Sequence, residues 1–179
     1  MTRRPGLLLS ALAAAALLTP RAWAFEKQWH VGGGAGVNAF ADGGSAAGPA
    51  LGVYGAYGLS DLFDLGIEVL GSRHVRDHTG FELVGISTGI WYKLDVLSWI
   101  PYAGLELGYY RFLGDTRPRA LPENEAGFSV DLGLDYLLSQ SVGLGLRFRY
   151  HGFLHDFPAS LGDAPLFTGL IRAEYRWGF

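Results

Sequence analysis

The sequence predicts an all-β chain: an eight-stranded antiparallel up-and-down barrel that crosses a lipid bilayer. Three observations carry this expectation. Segments of about ten residues alternate between apolar and polar side chains, the period of a strand whose two faces meet different surroundings. The links between them alternate between long and short, as hairpins of a barrel do. The chain also opens with an export signal, and nothing after it can form a membrane-spanning helix.

That signal has a basic start (Arg3, Arg4), an apolar run from Leu7 to Leu18 and the small-x-small end Ala22-Trp23-Ala24. Residues 1–24 are thus expected to be a cleaved signal peptide, with Arg3-Arg4 an ordinary basic region. As an anchor the run is short, and Thr19-Pro20-Arg21 ends it. Residues 25–179 suit a single barrel domain. Removing Arg3, Arg4 and Arg21 from 14 basic and 17 acidic side chains leaves 11 against 17, a net charge of about −6. That balance argues against nucleic-acid binding. With no cysteine, disulfide and thiolate chemistry are excluded. The uncharged stretch between Asp42 and Asp61 holds six glycines and Pro49. Since a helix loses about 1 kcal/mol per glycine and about 3 per proline, a closed barrel is the remaining way to satisfy a backbone in lipid.

The strands follow in order. The first sets Trp29, Val31, Gly33, Ala35 and Val37 against His30, Gly32, Gly34, Gly36 and Asn38. The second, about Ala50 to Leu59, turns Leu51, Val53, Gly55, Tyr57 and Leu59 outward; the third has Leu65, Ile67 and Val69 around Glu68; the fourth has Val84, Ile86, Thr88, Ile90 and Tyr92. In the second half charges mark the inner face. Strand five places Ala103, Leu105, Leu107 and Tyr109 opposite Gly104, Glu106, Gly108 and Tyr110, and strand six places Phe128 to Tyr136 around Ser129, Asp131, Gly133 and Asp135. Strand seven sets Val142, Leu144, Leu146, Phe148 and Tyr150 against Gly143, Gly145, Arg147, Arg149 and His151. The eighth, Phe167 to Phe179, ends Tyr175-Arg176-Trp177-Gly178-Phe179 with Arg172, Glu174 and Arg176 inside.

Long links are expected at Phe40 to Pro49, His74 to Gly80, Leu113 to Ala126 and Leu154 to Pro165, tight ones at Ser60 to Phe63 and Ser139 to Ser141, and an intermediate one from Lys93 to Pro101. Long loops outside and short periplasmic turns place both termini in the periplasm. Aromatic belts are expected at the two water boundaries: Trp29, Tyr57, Tyr92, Tyr136, Tyr175 and Trp177 at one, and Phe81, Tyr109, Phe128, Tyr150 and Phe167 at the other. A soluble barrel would reverse the faces, lining its cavity with the apolar side chains and wetting the charged ones. The interface aromatics and the glycine-rich charged face weigh against it.

On strand number, loop alternation and the aromatic ending, residues 25–179 resemble the small eight-stranded outer-membrane barrels of the OmpA/OmpX type. The resemblance implies a bacterial outer-membrane location, with Tyr175, Trp177 and Phe179 as the signal read by the barrel-assembly machinery; a cell-wall tether of the long OmpA kind is not expected, since no wall-binding segment is read after Phe179. It implies no particular activity, because one scaffold serves many.

The inward charges Glu68, Glu106, Asp131, Asp135, Arg147, Arg149, Arg172, Glu174 and Arg176 are the main candidate site. Buried charges persist when paired, so five acids among four arginines predict a salt-bridged plug, with a narrow ion path as the alternative. His74, Asp77 and His78 lack the helix that would make them metal ligands, and no cofactor is expected. His151, His155 and Asp156 have no neighbouring serine, Ser160 lying further along, which departs from the His-x-Ser of lipid A deacylase barrels and argues against an enzyme. Gly32 to Gly36 should leave room for the arginines and for Tyr54 or Trp91 rather than cradle phosphate. Expected partners are outer-membrane lipid and lipopolysaccharide, met in part by Arg111, Arg117 and Arg119, and the assembly machinery; the barrel is expected to be a monomer.

Overall fold

The computed structural model describes residues 27–41, 47–76, 79–94, 96, 98–114, 122–155 and 165–178, so the expected signal peptide (residues 1–24), Asp77, His78, Arg117, Arg119, Asp156, Ser160 and Phe179 lie outside the described residues. Eight strands, β1 (Trp29–Phe40), β2 (Ala47–Gly58), β3 (Phe63–Arg76), β4 (Thr79–Lys93), β5 (Trp99–Leu113), β6 (Asn124–Leu137), β7 (Val142–Phe153) and β8 (Leu166–Trp177), close in sequence order into one barrel. Each neighbouring pair is antiparallel, and β8 completes the ring against β1 from Trp29↔Trp177 to Phe40↔Leu166.

Two of the turns share one local chemistry. The Ser60 hydroxyl accepts from the backbone N–H groups of Leu62 (3.3 Å) and Phe63 (3.2 Å). Ser139 does the same for Ser141 (3.3 Å) and Val142 (3.1 Å). A serine that satisfies turn N–H groups in this way fixes the register of the hairpin it starts.

At the other end the strands run further than sequence periodicity suggests. The expected second long loop, His74 to Gly80, is largely ladder: His74 pairs with Phe81 and Val75 with Gly80, leaving only residues 77–78 between β3 and β4. Pro49 likewise lies within β2, opposite Val37. Glycine and proline mark loops in a sequence because they weaken strands, yet an extended ladder beyond the bilayer accepts them where it still pairs its backbone.

The barrel is strongly sheared. Following paired residues from His30 through Ala56, Gly66, Gly89, Glu106, Ser129, His151 and Leu166 leads back to β1 at Phe40, a stagger of ten residues. Strand count and stagger together fix the radius, and eight strands leave an interior that side chains fill.

The molecule is inside-out relative to a soluble protein. Leu51, Leu107, Leu146 and Ile171 on the outer face are 68, 66, 61 and 69% exposed, whereas Arg147, Arg149, Arg172 and Arg176 are 0–3% exposed. That distribution removes the soluble-barrel alternative, because an apolar face this large is stable only against lipid. The turn-end aromatic belt pairs across strands, with ring centroids 4.8 Å apart for Trp29–Tyr57 and for Trp99–Tyr136 and 5.3 Å for Phe63–Tyr92. One belt assignment is corrected: Phe81 is on the inward parity of β4 and is buried in the lumen, while Glu82 beside it faces out.

Candidate functional site

The lumen divides into two halves of opposite chemistry. In the turn-end half all nine predicted charges are buried, and Arg149 is their centre. Reaching from β7, it donates to Glu106 of β5 (2.6 Å), to Glu68 of β3 (3.1 Å) and to the Asp131 carboxylate of β6, directly opposite it in register. Arg147 also pairs with Glu68 across the barrel. The Trp91 indole N–H donates to Glu106 (2.8 Å) and Asp131 (3.2 Å), and Ser87 donates to the other oxygen of Glu106. The three carboxylates around Arg149 share the two guanidiniums of Arg149 and Arg147, and the neutral donors Trp91 and Ser87 fill further lone pairs, the condition for keeping charge out of water.

A second group is built around Glu174. Arg172 donates to it (2.7 Å), Arg176 pairs with it, and Tyr54 donates its hydroxyl (2.8 Å) while His30 Nδ1 lies at 3.2 Å. Arg172 also faces Asp135 at 3.3 Å. That reach from β6 to β8 passes over Gly145 of β7, where any Cβ would collide with the Asp135 carboxylate. Tyr102 joins the two groups, its oxygen accepting from Arg172 (2.8 Å) and from Arg147 (3.3 Å). The guanidinium of Arg172 lies 4.4 Å from the Tyr54 ring centroid and that of Arg147 lies 4.9 Å from Trp91, so the rings hold the cations where carboxylates do not.

Sequence reasoning missed Asp64 and Lys93, which form a further buried pair. Both sit one or two pleats beyond the segment in which alternation was clear, yet both keep the inward parity of Glu68 and Trp91. It also missed the function of several glycines. A Cβ on Gly66 or Gly104 would strike the Trp91 ring, and one on Gly133 would strike Tyr102. In β1 only Gly32 clears an aromatic ring, that of Tyr54; Gly34 and Gly36 abut β8, at its backbone and at the Cβ atoms of Leu170 and Arg172, and clear no guanidinium.

The loop-end half is mainly apolar, with a few hydrogen-bonded polar side chains among its rings. Phe40, Leu70, Phe81, Leu83, Phe112, Phe153, Leu166 and their neighbours form one buried cluster, with Phe112, Leu83 and Leu166 at 0% exposure. Ring contacts of 5.6 Å (Phe112–Phe153) and 5.7 Å (Phe40–Phe81) run across it. His74, considered above as a metal ligand, is stacked on Phe81 with centroids 4.6 Å apart and bonded to Ser72 at 3.0 Å. His151 lies between Tyr110 (3.1 Å) and Thr168 (2.8 Å), wholly buried. Ser129 is its cross-strand partner and is equally buried. Higher up, Glu125 accepts from the His155 backbone N–H at 2.9 Å. Among the described residues no His, Asp and Glu cluster has metal-binding geometry.

Comparison with known proteins places this architecture. The family model for the outer membrane protein β-barrel domain matches residues 7–164. Of solved structures, the Neisserial surface protein A barrel is similar at a TM-score of 0.66 with 20% identity, covering 86% of this chain and 100% of that one. OprG of Pseudomonas aeruginosa gives 0.60 with 15% identity over 86% and 97% of the two chains. Ail of Yersinia pestis, in its complex with the heparin analogue sucrose octasulfate, gives 0.59 with 12% identity over 85% and 99%. At these identities the likeness is one of fold. No curated protein sequence matches the chain.

Proposed function

The chain belongs to the outer membrane protein β-barrel domain family and lies in the bacterial outer membrane, and from that premise we propose that it is a closed, non-enzymatic barrel whose rigid body displays surface loops for envelope integrity or partner binding. The loop end faces outward in this reading and the serine turns face the periplasm. The observation that carries it is the two-part filling of the lumen. Paired charges occupy one half, and the aromatic cluster around Phe112 closes the other. An ion would have to shed its hydration to enter a packed apolar layer, a barrier of the kind that closes hydrophobic gates. The buried setting of His151 supports the non-enzymatic side, since its ring nitrogens are engaged by Tyr110 and Thr168 rather than turned toward a substrate.

The test is single-channel recording of the refolded barrel in a planar bilayer, with insertion confirmed by heat-modifiable gel mobility. A silent, inserted barrel is expected. Discrete conductance steps that change on Glu106→Gln would instead make the charged lumen a pore. Lipid A mass spectra from cells with and without the protein should be identical, and an altered acyl pattern would establish an enzyme.

A further inference from the structure

Outward-facing charge on the described strands is confined to one sector of the loop-end rim. Arg73 on β3, Glu82 on β4 and Arg111 on β5 are its members; the outer ends of β7, β8 and β1 carry Phe148, Tyr150, Phe167 and Val37 instead. Register sets the three in a row, with Arg73 opposite Glu82 and Arg111 two residues from the partner of Glu82, Leu113. Glu123, just before β6, ends the row. The charges are loosely held: Arg73 Nε lies 4.0 Å from Glu82 with both side chains more than half exposed, while Arg111 meets Glu123 at 3.0 Å. Directly on the membrane side of Arg73 lies a cleft of about 320 Å³ walled by Pro49, Leu51, Gly71 and Val84. Gly71 leaves it open, since a Cβ there would meet nothing within 4 Å. On the outer side of Arg73 a second, polar cleft of about 290 Å³ runs to Gly80 and Gly114.

We propose that this rim docks a phosphate-bearing, multiply acylated lipid of the outer leaflet, its phosphate between Arg73 and Arg111 and one acyl chain in the Leu51–Gly71–Val84 cleft. Guanidinium forks match phosphate oxygens in pairs, and a charged group at the water boundary can hold a headgroup while the wall below holds the chain. Glu82 stands between the two arginines on β4, and Arg111 is held by Glu123 in an exposed ion pair that a phosphate would displace. The placement rests on the outer-membrane reading above, with the rim at the depth where such headgroups lie.

The experiment places the barrel in phosphatidylcholine nanodiscs doped with bis-phosphorylated lipid A, extracts it in mild detergent and measures the retained lipid by native mass spectrometry. Wild type should retain the lipid. R73Q/R111Q, and a Gly71→Trp variant that fills the cleft, should each retain several-fold less, and the dephosphorylated lipid should be retained as poorly. Heat-modifiable mobility checks that the variants fold. Equal retention by wild type and R73Q/R111Q overturns the proposal, as does undiminished retention by Gly71→Trp, equal retention of the dephosphorylated lipid, or displacement of the lipid by millimolar inorganic phosphate alone. Both leaflets of the disc carry the lipid, so the result is independent of orientation in the cell, and a conducting barrel in the bilayer recording would leave it unaffected.

Discussion

At the scale of single residues, Arg149 and the inward glycines govern how the lumen is filled. Replacing Arg149 with methionine leaves Glu68, Glu106 and Asp131 without their shared cation in a site cut off from water. Breaking one side of a buried charge network typically costs about 3–5 kcal/mol, and urea unfolding of the Arg149→Met barrel in vesicles should show a loss of that order. Two glycine substitutions make a matched comparison. Gly104→Ala drives a methyl into the Trp91 ring and should cost about 1–3 kcal/mol, whereas Gly71→Ala enters open space on the outer face and should change stability by less than about 0.5 kcal/mol. Both glycines are visible in the sequence, but the difference between them is not. Gly104 is small because of Trp91, thirteen residues away on the neighbouring strand and aligned with it only by register.

At the scale of elements, strand identity and facing were legible because parity is local: Glu106, Asp131, Asp135, Arg147, Arg149, Arg172, Glu174 and Arg176 alternate with outward apolar residues along β5 to β8 and point inward, while Arg111 near the outer end of β5 keeps the outward parity of Leu107 and Tyr109. Strand ends were less legible. Alternation becomes faint where the outer face leaves lipid, so Lys93 and His74 read as link residues and Asp64 carries no assignment, although the ladder continues through all three. The last strand offers a separate test. Tyr175 and Trp177 stack 6.0 Å apart on the outer face of β8, away from every lumen contact. If they serve as an assembly signal, Tyr175→Ala/Trp177→Ala should refold in detergent much as wild type does. Its level in isolated outer membranes, read by immunoblot, should nevertheless fall several-fold. A parallel loss in both assays would make the pair merely structural.

At the scale of the whole molecule, the division of the lumen predicts where its barrier lies. Phe40, Phe112 and Phe153 are buried together in the loop-end half, so their triple replacement by alanine should open measurable conductance in a planar bilayer. Glu106→Gln alone should leave the barrel silent, and the opposite pattern would put the barrier in the charged half. The pattern along the chain is enough to show that eight strands form, that their apolar faces meet lipid and that charges line the interior. A period of two along one strand, and a bilayer that excludes unpaired backbone, suffice for that. It takes the closed barrel to gather three carboxylates on Arg149, to let Asp135 reach Arg172 past Gly145, and to fill the remaining half of the lumen mainly with apolar side chains. These depend on the ten-residue stagger accumulated round the ring from His30 to Phe40, a property of closure shared by all eight registers, and no local pattern in a single strand encodes it.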